Sequence, residues 1–113
     1  MHPFNALADP KRRTILELLG QNGRMSATQI YDKFDVTDSA ISQHLKVLKK
    51  SELIVVEKKA QQRIYRLNPS TFYGLRDWIQ QLTKWLEERF DALDIVLEEE
   101  KAKLKEHANL DVT

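Results

Sequence analysis

The stretch from Thr37 to Lys50, T-D-S-A-I-S-Q-H-L-K-V-L-K-K, has the clearest helical pattern in the chain. Ile41, Leu45 and Leu48 are spaced by four and three residues, which puts them on one face of a helix. The other face carries Asp38, Ser39, Ser42, Gln43 and Lys46, with Lys49 and Lys50 at its end. Thr37 is suited to cap the first turn. A second periodic segment follows Asp9-Pro10, with Asp9 as N-cap and Pro10 at the first helical position. Ile15, Leu16, Leu18 and Leu19 form its buried stripe, and Gly20 and Gly23 are expected to stop it. Phe4, Ala6, Leu7 and Ala8 suggest a short helix upstream.

Ser26-Ala27-Thr28-Gln29 fits a capping box, in which Ser26 accepts from the third helical N–H and Gln29 reaches back. The short helix that follows buries Ile30 and Phe34, with Tyr31 beside them. Asp35-Val36 then makes a tight connection into the Thr37 helix, giving a helix-turn-helix pattern.

After Glu52 the period changes. Leu53-Ile54-Val55-Val56 is apolar and β-branched, and Arg63-Ile64-Tyr65-Arg66-Leu67 alternates. Between them Glu57-Lys58-Lys59-Ala60-Gln61-Gln62 reads as the polar, basic tip of a β-hairpin. A hairpin directly after a helix-turn-helix is a wing. Lys58, Lys59, Gln61, Gln62 and Arg63 would lie beside the Thr37 helix, whose polar face suits a groove of DNA, at phosphates or the minor groove.

Asn68-Pro69 starts the last helix. Leu75, Ile79, Leu82, Leu86, Phe90, Leu93 and Leu97 step by four or three residues, close to the unstrained helical period. Phe72, Trp78, Trp85 and Val96 widen this stripe, and Gly74 interrupts it. The stripe exceeds what a small three-helix core needs, so a homodimer is expected to bury it. The expected interface comprises Phe4, Leu7, Leu75, Trp78, Ile79, Leu82, Trp85, Leu86, Phe90 and Leu93. Residues 4–67 would form the DNA-binding core and wing, 68–106 the dimerisation helix, and 107–113 a frayed tail. The fold class is mainly α with a two-stranded β-wing.

The 113 residues suit one domain, and the mixture of 42% hydrophobic and 31% charged residues is that of a globular protein. No apolar run is long enough to span a bilayer, no signal-peptide core precedes the first helix, and a cytoplasmic protein is expected. The net charge of +1 conceals a division. Residues 1–68 carry 12 Lys/Arg against 7 Asp/Glu, and residues 69–113 carry 6 against 10. The first part suits a polyanion and the second does not. Lys11, Arg12 and Arg13 either meet phosphates or form a solvated first turn. There is no cysteine, and His2, His44 and His107 form no spaced ligand set, so neither a metal nor another cofactor is expected. No nucleophile–base pair or glycine-rich phosphate loop points to an enzyme. A winged-helix module for protein–protein contact is the competing reading. Trp78, Trp85 and Tyr73 fit a packed stripe better than an effector site.

From Phe4 to Leu93 the sequence resembles the ArsR/SmtB family of bacterial winged-helix repressors. The resemblance is carried by F-N-A-L-A-D-P-K-R-R-T-I-L-E-L-L at 4–19, T-D-S-A-I-S-Q-H-L-K-V-L-K-K-S-E-L-I at 37–54 and R-I-Y-R-L at 63–67. It implies that the helix after Thr37 is the recognition helix, with Ser39, Ser42, Gln43, His44 and Lys46 where that family meets double-stranded DNA. The chain departs from the family pattern at several points. It lacks the cysteines and last-helix histidines through which many members sense metals. Glu52 stands where the family often has glycine, and the wing tip K-K-A-Q-Q has no glycine.

Overall fold

A computed structural model describes residues 2–90 and 101–105. The chain divides into two units, residues 1–74 and 75–113. The element order is α1 (Pro3–Ala6), α2 (Pro10–Asn22), β1 (Met25–Ser26), α3 (Ala27–Tyr31), α4 (Asp38–Lys50), β2 (Ile54–Lys59), β3 (Gln62–Leu67) and α5 (Pro69–Arg89).

Local chemistry sets the helix starts as the sequence predicts. The Asp9 carboxylate accepts from the N–H groups of Lys11 at 2.8 Å and Arg12 at 3.1 Å. At α3 the capping box is complete: Gln29 N–H donates to Ser26 Oγ at 3.2 Å and Ser26 N–H donates to Gln29 Oε1 at 2.8 Å. Thr37 Oγ1 accepts from Ala40 N–H at 3.2 Å. Each cap satisfies N–H groups that the helix itself leaves unpaired.

The end of α2 differs from expectation. The helix runs through Gly20 and stops at Gly23, whose φ of 81° suits glycine. Gly20 does not end the helix; a Cβ there would make only an ordinary 3.6 Å contact with Leu67. α4 closes with Glu52 in the left-handed region, φ 63°. Leu53 N–H donates to Leu48 O at 3.1 Å and Glu52 N–H to Lys49 O at 3.0 Å, the Schellman pattern. Leu48 and Leu53 are both fully buried and supply its apolar contact. The family's glycine position thus keeps a glycine-like backbone although the residue is Glu. The Glu52 carbonyl also accepts from Asn68 Nδ2 at 2.9 Å and Thr71 Oγ1 at 2.6 Å, which ties the end of α4 to the start of α5.

The sheet has three strands in the order β1-β3-β2, all antiparallel. Two features differ from the hairpin read in the sequence. β1, only Met25–Ser26, adds a third strand by pairing with Tyr65 and Ile64. The hairpin strands also extend through Lys59 and from Gln62, so the expected six-residue tip contracts to the turn Ala60-Gln61. Ala60 has φ 56°, again where glycine would be relaxed.

The core of the first unit joins Ile15 and Leu19 of α2, Ile30 of α3, Ile41 and Leu48 of α4, and Ile54 of β2, all essentially inaccessible. Leu18, Tyr31 and Phe34 are only half-buried. In the second unit the α5 stripe is exposed: Trp78, Ile79, Leu82, Trp85, Leu86 and Phe90 keep 37–57% of their surface. Leu75 is half-buried. Leu93, Val96, Leu97 and the tail from His107 lie outside the described residues, as does the continuity of the last helix to residue 106.

Candidate nucleic-acid interface

Burial of Ile41, Leu45 and Leu48 fixes which way α4 faces. Asp38, Ser39, Gln43, Lys46, Lys49 and Lys50 are exposed, Ser42 is half-buried, and Thr37 is exposed at the cap. The order along this face is one acid and short polar groups first, then lysines. Asp38 in the first turn suits the positive end of the helix, and Lys49 and Lys50 suit the negative end. A carboxylate at Asp38 fits a base amino group rather than a phosphate.

His44 is three residues after Ile41 and four before Leu48, beside the inner stripe, and it is half-buried. Partial burial raises the Asp9 carboxyl, but the N–H groups of Arg12 and Lys11, the nearby His44 and the Arg12 guanidinium hold it below its ordinary value of 3.8. His44 is therefore close to the α2 cap.

Strand alternation sorts the wing residues. Lys58 pairs with Arg63 and Val56 with Tyr65, so these four share one face. That face looks onto α4. Ser42, Leu45, Lys46, Lys49, Val56, Lys58, Arg63 and Tyr65 line a cleft of about 310 Å³ between helix and wing. The pair Lys59 and Gln62 belongs to the other face, where Glu57 and Arg66 form an exposed ion pair at 3.4 Å. Gln61 is in the turn. Gln61, Gln62 and Arg63 also line a groove of about 270 Å³ with Thr28 and Tyr31 of α3. Thr28 and Tyr31 were read from the sequence as parts of a capped short helix, not as groove residues. The capping box, which puts Thr28 in the first turn of α3, was the available signal.

Arg13 is exposed and Arg12 half-buried, and both guanidiniums already have backbone partners within the chain. Arg12 Nε donates to Ala6 O at 2.7 Å and its Nη2 to Asn5 O at 3.2 Å. Arg13 Nη1 donates to Leu7 O at 2.7 Å and Ala8 O at 3.1 Å. Both guanidiniums hold the carbonyls that end α1.

Among the described residues no group of three or more His, Asp or Glu is placed to hold a metal ion. No described helix is long and apolar enough to cross a membrane. A helix-turn-helix whose second helix presents a polar, basic face beside a cationic hairpin defines a winged-helix DNA-binding protein.

Comparison with known proteins agrees. Residues 7–57 match a family described as a helix-turn-helix domain. The chain is 38% identical over 76 residues to the transcriptional repressor SdpR of Bacillus subtilis (strain 168), covering 67% of this chain and 83% of that one. It is 40% identical over 72 residues to the arsenical resistance operon repressor of the same organism, covering 64% and 69%. A crystal structure of an ArsR family transcriptional regulator superposes with a TM-score of 0.67 at 25% identity, covering 74% of this chain and 86% of that chain. This chain belongs to the ArsR family of winged-helix transcriptional regulators. It is a DNA-binding regulator and not an enzyme.

Proposed function

We propose that the protein is a cytoplasmic, homodimeric repressor that binds operator DNA through residues 4–67 and dimerises through the helix beginning at Asn68. The observation that carries this reading is the α4 face itself, where Ser39, Ser42 and Gln43 precede Lys46 and Lys49, with wing cations alongside. Gln43 is suited to pair bidentately with adenine, and Ser42 to a neighbouring base edge. Ser39 and Asp38 meet base edges nearer the helix start, with Thr37 at the nearby backbone. Lys46, Lys49, Lys58 and Arg63 neutralise phosphates, while Lys59, Gln61 and Gln62 follow the backbone at the wing tip. His44 orients the helix against α2 through its proximity to Asp9.

The exposed α5 stripe supports the dimer. Ile79, Leu82, Trp85, Leu86 and Phe90 make a row of large apolar side chains longer than a soluble surface usually carries. A two-fold copy of the same row covers it, since such an interface is self-complementary. Phe4 of α1 and its C-cap Leu7 are further interface candidates. A dimer sets two recognition helices into major grooves roughly 34–36 Å apart.

The test is selection of genomic fragments by the purified protein, followed by footprinting and measurement of mass in solution. The reading requires two protected half-sites about one helical turn apart and a two-chain species. Absence of DNA binding at low salt contradicts it.

A further inference from the structure

The cleft between α4 and the wing is lined in part by a tyrosine that DNA recognition by surface lysines does not require. Tyr65 is 6% exposed, yet it lines the cleft. Its hydroxyl has no hydrogen bond among the described residues, and no buried side-chain polar atom there lacks a partner. The hydroxyl must therefore be reached by solvent, and the cleft is an opening that Tyr65 lines. Its ring is packed, and its hydroxyl is a donor without a partner among the described residues.

The walls are cationic on both sides. Lys46 and Lys49 come from α4, and Lys58 and Arg63 from the wing; no Asp or Glu lines the cleft. None of these four has an ion pair among the described residues, whereas Arg66 on the other wing face is matched by Glu57. Ser42 adds a second hydroxyl, half-buried at the helix side. A neutral hydroxyl donor at Tyr65 among cations is what a phosphate oxygen set requires.

Geometry on DNA identifies the occupant. With α4 in a major groove and the wing at the adjacent minor groove, the sugar-phosphate strand dividing the two grooves passes between helix and wing. We infer that this cleft seats one backbone phosphate of the DNA strand, with the Tyr65 hydroxyl donating to a phosphate oxygen. The inference rests on the DNA-binding reading of the same face. It adds a backbone contact that fixes the register of helix and wing together, in place of diffuse attraction to lysines.

Tyr65→Phe keeps the ring and removes only the donor. Affinity for an operator duplex should fall roughly tenfold, the scale of a hydrogen bond to a charged group, with the slope of affinity against salt unchanged because no charge is lost. Lys58→Ala should instead lower that slope by about 0.9. The decisive measurement places a single neutral methylphosphonate at each backbone position in turn. At one position the wild type and Tyr65→Phe should bind equally, because the partner of the hydroxyl has gone. Equal affinity of the two proteins for unmodified operator overturns the inference, as does a tenfold loss that persists at every methylphosphonate position, which marks a purely structural role. Loss of inorganic-phosphate binding in Tyr65→Phe while its affinity for unmodified operator stays that of the wild type assigns the cleft to free phosphate and overturns the backbone assignment. Failure of the wild type to bind any DNA is a different result and falls on the DNA-binding reading itself.

Discussion

Replacing Glu52 by glycine should stabilise the protein, and the reason lies in one backbone angle. Glu52 holds φ 63° at the end of the recognition helix, and that angle is enforced by the paired bonds from Leu53 and Glu52 N–H to Leu48 and Lys49 carbonyls. A side chain with a Cβ pays about 1–2 kcal/mol in that region. Glycine removes this cost but gains freedom in the unfolded chain, worth about 0.4–1 kcal/mol in the other direction. The net gain is about 0.5–1 kcal/mol. Unfolding entropy of about 2.1 cal/mol/K per residue converts this to a rise in Tm of about 2–4 °C for a chain of 113 residues. The carbonyl that Asn68 and Thr71 bind belongs to the backbone, so Glu52→Gly leaves those bonds in place. The assay is thermal unfolding by circular dichroism at fixed protein concentration, because dimerisation would make Tm depend on concentration. Glu52→Ala is the control. It keeps the Cβ and removes only a carboxylate near the helix C-terminus, a change of about 0.3 kcal/mol or less at this exposed site. If alanine raises Tm as much as glycine does, charge and not backbone strain is the cause, and the reasoning fails.

Two further outcomes follow from the caps and from α5. Leu82→Asp, at a 41% exposed position in the apolar row, should shift the protein to a single-chain species in analytical ultracentrifugation while the helical spectrum of residues 1–74 persists; an unchanged mass would rule out this face as the interface. The Asp9 carboxyl is lower in the folded state than its ordinary 3.8, so the unfolded chain takes up the proton first on acidification. The stability this contributes is present above about pH 3.8 and is lost as pH falls through the lower folded value. Asp9→Asn, which still accepts the cap bonds, should flatten that acid limb in urea titrations; an identical limb in both proteins would refute the assignment.

The α-helical part of the fold was legible because burial leaves a period. Ile41, Leu45 and Leu48 marked α4 and its inward face, and Asp9, Ser26 and Thr37 marked helix starts by side-chain chemistry that acts within three residues. β1 was not legible: two residues contain no alternation, and its pairing with β3 is set by contacts distant in sequence. Glu57, Lys58 and Lys59 of β2 and Gln62 of β3 were read as loop because they are exposed, so no apolar residue signals their strand state. That error also hid which wing residues face α4. Once the register is known, alternation separates Lys58 and Arg63 from Lys59 and Gln62. For Arg12 and Arg13 phosphate contact and a solvated first turn stayed open, since a sequence gives their charge and not the carbonyls that they meet. Tyr65 was read only as a strand residue. Its place in a cleft with four cations depends on the packing of wing against helix.

The central claim is that the exposed face of α4 reads DNA sequence through its polar front and holds the backbone through its lysines. The most direct measurement is fluorescence anisotropy with operator and scrambled duplexes across a salt series, for wild type, Gln43→Ala and Lys46→Ala. Gln43→Ala should weaken operator binding by about 1–3 kcal/mol and leave scrambled DNA unaffected. Lys46→Ala should weaken both duplexes and reduce the salt slope by about 0.9. Wild-type affinity for operator in both variants would contradict the claim.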